Sequence, residues 1–154
     1  ATNYQIMRFA DVLLMAAEAE VEAGDLEKAR GYVNRVRARA AKPATWVPGA
    51  AATYVINTYT VPWTDKAFAK TAVRFERKLE LAMEGHRFFD LVRWGIADVA
   101  INAFLNYEKT KLPAGYGSAT FTKGKNEYFP IPQRQIDLEV SGGTSALKQN
   151  PNYN

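Results

Sequence analysis

In Ala72–Gly95, AVRFERKLELAMEGHRFFDLVRWG, apolar residues recur at the step of a helix. With Phe68 just upstream, Ala72, Phe75, Leu79 and Ala82/Met83 follow at intervals of three and four, which places them on one helical face. Glu76, Glu80 and Glu84 form a second stripe at steps of four. Like charges so spaced repel unless cations answer them, and Arg74, Arg77, Lys78, Arg87 and Arg93 lie near in sequence. Gly85 permits a helix stop, after which His86–Trp94 begins a more aromatic segment. The spacing predicts a helix from Asp65, a side-chain cap, to about Glu84. It places Phe75 and Leu79 in the core, with Glu84, Arg87 and Arg93 as structural charges around the Gly85 corner.

Working outward, Arg8 to Ala23 reads as a helix with Phe9, Val12, Leu13, Ala16, Ala19 and Ala23 in one stripe. Gly24-Asp25 ends it and caps a second helix. That helix has an apolar face of Leu26, Ala29, Val33, Val36 and Ala40. Its outer face carries Lys28, Arg30, Arg35, Arg37 and Arg39, which either meets solvent, answers the acids of the first helix (Asp11, Glu18, Glu20, Glu22), or meets nucleic acid. The tight connection predicts a helix hairpin over about 8–41, similar to one tetratricopeptide unit, with no second copy in the chain. A lone unit cannot bury its own face, so other helices must cover it.

Residues 43–64 break the helical pattern with Pro43, Pro48, Gly49 and Pro62. Thr53-Tyr54-Val55-Ile56 and Thr58-Tyr59-Thr60-Val61 are faintly strand-like, and a connection this long is often functional. Its aromatics either stack on ligand rings or pin the segment to the core. On the first alternative, Trp46, Tyr59 and Trp63 offer flat faces to a sugar and Asn57 an amide for its hydroxyls. A further helix is expected over Ile96–Lys111, with Val99, Ala103, Phe104 and Tyr107 on one side. Residues 112–154 read as irregular, with one helical turn at Gln133–Leu138.

The 154 residues are 47% hydrophobic and 23% charged, with a net charge of +4. This is the composition of a globular domain, here expected to be one domain over 1–154, and it excludes disorder. No run of five or six like charges calls for nucleic acid. The chain has no cysteine, hence neither disulfide nor thiolate chemistry. Val12–Ala17 is too short and too soon followed by glutamates to span a membrane. No phosphate-binding glycine loop, nucleophile elbow or zinc-binding helix motif occurs. Glu76, Glu80 and Glu84 are either structural ion pairs or an acid–base set for glycoside hydrolysis. His86, the one histidine, has no ligand set around it and reads as structural. No metal or cofactor is expected, and no catalytic residue is assigned.

Five segments in order carry a resemblance. Arg8-Phe9-Ala10-Asp11-Val12-Leu13-Leu14-Met15-Ala16-Ala17-Glu18-Ala19, the run Asn34–Ala40, the run Glu76–Gly95, Phe129-Pro130-Ile131-Pro132, and Gln149-Asn150-Pro151 with Tyr153 resemble the signatures of SusD/RagB-like proteins. Gln135-Ile136 departs from that family's usual Glu-Ile, and the 43–64 segment is longer than is common. The resemblance implies an all-α, tetratricopeptide-like scaffold with long loops and minor short strands. It also implies a non-catalytic outer-membrane lipoprotein on the outward-facing cell surface, which captures oligosaccharides or other nutrients for a SusC-like TonB-dependent transporter. The chain would then be the C-terminal portion of a longer one, whose lipid anchor lies upstream. The alternative is a tetratricopeptide-like module that binds protein and no sugar.

Overall fold

A computed structural model describes residues 6–141 and 144–153. The chain is organised as two compact units, Ala1–Arg87 and Phe88–Asn154. The first holds α1 (Phe9–Ala23), α2 (Leu26–Ala40), a 3-10 turn (Pro43–Thr45) and α3 (Lys66–Glu80). α4 (His86–Arg93) begins at its end. The second holds α5 (Ala97–Lys111), the short α6 (Pro113–Tyr116) and α7 (Gln133–Leu138), and a two-residue hairpin of β1 (Val140–Ser141) and β2 (Thr144–Ser145). The fold is all-α.

Local chemistry fixes the helix ends. The Asp25 carboxylate accepts from the backbone N–H of Glu27 at 2.8 Å and starts α2, and Asp65 accepts from Ala67 N–H at 2.8 Å and starts α3. Between α1 and α2 the Glu20 carboxylate folds back onto the Asp25 N–H. A Cβ at Gly24 would lie 2.0 Å from that carboxylate, so a larger residue there would displace the Glu20 side chain from the turn.

α1, α2 and α3 pack around one core of Leu13, Leu14, Ala17 and Val21, then Ala29, Val33 and Val36, then Ala69, Ala72 and Val73. Small residues predominate on α3, and they let it sit close to the hairpin. The α2 face is the one expected. The α3 face is not: it buries Ala69, Ala72, Val73, Glu76 and Arg77. Phe75 and Leu79 are each 50% exposed, so the placement of Phe75 in the core is corrected. The stripe in α1 turns likewise, with Leu13, Leu14, Ala17 and Val21 buried and Phe9 and Val12 outside. Ion pairing turns α3. Arg77 Nη1 donates to Asp11 Oδ1 of α1 at 2.8 Å, and both residues are buried. Arg37 Nη1 of α2 donates to the buried Glu76 at 2.7 Å.

α3 also stops a turn early, at Glu80. Arg8 donates to the Glu80 backbone oxygen and to its carboxylate, both at 2.8 Å, and to Glu84 at 2.7 and 2.8 Å. A guanidinium at a helix C-terminus satisfies free carbonyls and opposes the macrodipole. The chain then turns through Met83 (φ 65°) and Gly85 (φ 83°).

The strands expected at 53–56 and 58–61 do not form; the segment is irregular and pairs with no strand among the described residues. Side-chain amides do the pairing instead. Asn34 accepts from Tyr59 N–H at 2.8 Å and donates to Tyr59 C=O at 2.9 Å. In the second unit Asn102 grips Phe121 in the same way, at 2.9 Å for both bonds. Gln149 grips Ile131, both bonds at 2.8 Å. The last pair explains why the Phe-Pro-Ile-Pro and Gln-Asn-Pro runs occur together. Each is the backbone or amide partner of the other, and Asn150 and Tyr153 add bonds to Phe129 and Tyr128. The second unit's core gathers Leu91, Ala97 and Phe121, with Phe88, Trp94 and Ile101 against it.

Candidate functional site

The arm 43–64 is held along one side of α2. Glu27, Arg30, Asn34 and Arg37 recur there at three- and four-residue steps, so their side chains line up. Each reaches the arm's backbone. Glu27 accepts from Trp63 N–H, Arg30 and Asn34 both donate to Tyr59 C=O, and Arg37 donates to Asn57 C=O. Thus the polar face of α2 supplies the partners that strands would have supplied. The arginines also have a second duty, since Arg37 and Arg39 answer Glu76 and Glu80 of α3. Two of the acids of α1, which one expectation paired with these arginines, meet other cations. Asp11 is held by Arg77, and Glu22 by Lys66 and Lys70.

The four expected contact residues separate into two groups. Trp63 is 4% exposed and belongs to the core of the first unit, so it cannot offer its ring to a ligand. Its indole is packed edge-on against Tyr59 and Phe68, at 5.2 and 5.9 Å between centroids. Tyr59 is half-buried and carries the Arg37 guanidinium over its ring at 5.1 Å. These two aromatics pin the arm. Trp46 and Asn57 lie farther out. Trp46 is half-buried and stacks on Tyr54, with centroids 4.9 Å apart and planes 13° from parallel. Its N–H donates to Ala40 C=O at 3.0 Å, which fixes the ring's orientation. Asn57 is exposed. Nothing in the pattern of residues singled out Tyr54 as the partner of Trp46. The α2 polar stripe was legible by its spacing, as the helix's outward face, but its role in gripping the arm was not.

Beneath the arm a groove of about 210 Å³ is lined by Arg37, Ala40, Val55, Ile56, Glu76, Leu79 and Glu80. Sites for small molecules usually run to roughly 300–1,000 Å³, so this groove is small for one. The glutamates in this groove are committed. Burial pushes the Glu76 carboxyl above the usual range, opposed by the Arg37 hydrogen bond, while the Arg8 hydrogen bond holds Glu84 below it. Glu80 lies between Arg8 and Arg39. A hydrolytic pair needs two carboxyls flanking a bond, whereas each of these is turned onto a guanidinium. Of the other structural charges, Arg93 pairs with Asp90 one turn back and lies over Trp94, and Arg87 is exposed. Among the described residues no group of three His, Asp or Glu side chains is placed to hold a metal.

A family model described as the SusD family matches residues 1–153. SusD-like protein P25 of Formosa agariphila is 39% identical over 94 residues, which are 61% of this chain and 16% of that protein. SusD-like protein P2 of the same organism is 40% identical over 95 residues, 60% of this chain and 17% of that one. The matched stretch thus spans about a sixth of the length of these relatives. A crystal structure of a SusD homolog from Bacteroides thetaiotaomicron VPI-5482 superposes with a TM-score of 0.65 and 32% identity. The match covers 97% of this chain and 27% of that one. On the family match and on a helical scaffold shared at this identity, the chain belongs to the SusD family.

Proposed function

We propose that the protein to which these residues belong captures oligosaccharides at the outer face of the outer membrane. It then delivers them to a SusC-like TonB-dependent transporter. The observation that carries this reading is the family match across residues 1–153. The chain's own chemistry agrees with capture without catalysis, because its glutamate stripe is taken up in ion pairs that brace the helices. Attachment to the membrane would come through a lipid anchor upstream. Among the described residues no helix is long and apolar enough to cross a membrane.

Within this chain the proposed sugar contact is the Trp46–Tyr54 pair, with the exposed Asn57 of the same arm as a polar partner. An aromatic pair fixed by stacking and by a hydrogen bond loses little freedom when a pyranose packs against it. Tyr59 and Trp63 serve the contact from below by fixing the arm. Isothermal titration of the full-length protein with a panel of neutral and uronic-acid oligosaccharides tests this. Trp46→Ala should weaken the best ligand by about tenfold or more, the equivalent of about 1.4 kcal/mol. Equal affinity in a folded Trp46→Ala variant would remove the arm from the sugar site.

A further inference from the structure

Of the four α2 side chains that hold the arm, Arg37 differs in what holds it. Glu27 and Arg30 pair with each other on the same helix, and Asn34 is neutral. Arg37 Nη1 instead donates to Glu76 Oε2 of α3 at 2.7 Å, where Glu76 is buried and Arg37 half-buried. The same guanidinium makes two contacts with the arm. Its Nε donates to Asn57 C=O, and it lies over the Tyr59 ring, 5.1 Å from the centroid. One fork thus ties α2, α3 and the arm together. A planar guanidinium suits this task because its donors leave in fixed directions, whereas an ammonium is a point charge. The bond falls on Asn57 itself, the exposed amide proposed above as the sugar's polar partner. Val55, Asn57 and Thr58 are all exposed, so packing alone holds this stretch weakly.

We propose that Arg37 is a positioning residue for sugar capture, oriented by Glu76 and acting through the Asn57 backbone and the Tyr59 ring without touching the ligand. An amide reads sugar hydroxyls only while the backbone that carries it is fixed, and such support comes from residues behind the contact. Loss of the guanidinium frees residues 55–59. It leaves the Trp46–Tyr54 stack in place, since that pair is anchored separately, at Ala40 and Val47. The role rests on the arm being the sugar contact, and it names the residue that sets the arm's geometry. The groove of about 210 Å³ beside Arg37, with Val55, Ile56 and Glu76 in its lining, makes the role testable. Truncating Arg37 to alanine joins the vacated volume to that groove and leaves Glu76 facing it. A small guanidinium from solution then has room and a carboxylate to replace the lost fork.

The test uses the full-length protein and the oligosaccharide of the titration panel that binds the parent most tightly. Affinity is measured by calorimetry, and amide protection over residues 55–60 by hydrogen exchange on the same samples. In Arg37→Ala the affinity should fall about tenfold, and protection over 55–60 should fall with it. Millimolar ethylguanidinium should restore most of both, and ethylammonium neither. Arg37→Lys keeps a cation opposite Glu76, so it folds without a stranded carboxylate, and it should bind as weakly as Arg37→Ala. Full affinity in folded Arg37→Lys, with Trp46→Ala still weak, would overturn the role of Arg37 and leave the arm as the sugar contact. Full affinity in both Arg37→Lys and Trp46→Ala would remove the arm from the sugar site, and this role with it. Weak binding with protection unchanged, or with no rescue by ethylguanidinium, would also overturn positioning, since Arg37 would then act on the ligand itself or through the fold at large.

Discussion

Asp11→Ala should lower the unfolding free energy of the full-length protein by about 3–5 kcal/mol, the largest loss expected from any single charge here. Asp11 and Arg77 are 5% and 4% exposed and meet at 2.8 Å across the α1–α3 contact. Truncating the carboxylate takes a counter-ion away from a guanidinium buried in the core. Replacing both partners by hydrocarbon, with Asp11→Leu and Arg77→Met together, should cost clearly less than Asp11→Ala alone, because no stranded charge remains. Urea unfolding of the three variants measures the difference. An unchanged midpoint in Asp11→Ala would mean that the face of α3 turned toward α1 is not the one carrying Arg77.

Trp63→Ala is the second large effect, again about 3–5 kcal/mol. The ring is buried among Tyr59, Phe68 and the hairpin core, so its removal opens a cavity where the arm meets α2 and α3. The arm should loosen with it, and faster amide exchange at Tyr59 would report that. Trp63→Phe is the control. The Trp63 indole N–H has no partner among the described residues, so phenylalanine keeps a ring and removes an unsatisfied donor. Its cost should fall well below that of alanine. If Trp63→Ala kept full stability and lost only sugar affinity, the residue would belong to the binding surface and not to the scaffold.

The sequence was a good guide to which segments are helical and a poor guide to which faces are buried. Asp25, Asp65 and the three-and-four spacing fixed α1, α2 and α3 within a few residues. α2 was turned correctly because its apolar and cationic sides are cleanly separated. α1 has apolar residues on two sides, so periodicity alone could not say which of them faces α2. α3 misled for a different reason. Its buried side includes Glu76 and Arg77, and their partners, Arg37 and Asp11, lie 39 and 66 residues away. Local spacing cannot show a pairing over that distance, so the aromatic Phe75 looked like core. Of the candidate site, both uses of the arm's aromatics were legible but not their division: Trp63 and Tyr59 pin it, and Trp46 stacks with Tyr54. That division depends on Asn34, whose amide replaces a strand, and no strand rule anticipates a lone side chain in that role.

Recovery of the sugar after binding tests the proposed capture without conversion most directly. The full-length protein is saturated with the best oligosaccharide of the titration panel and incubated overnight, and the released sugar is sized by chromatography beside a protein-free control. The account predicts measurable binding and a sugar recovered at its original length, with Glu80→Gln giving the same product profile. Shortened products from the parent that vanish in Glu80→Gln would contradict it and make the glutamate stripe catalytic.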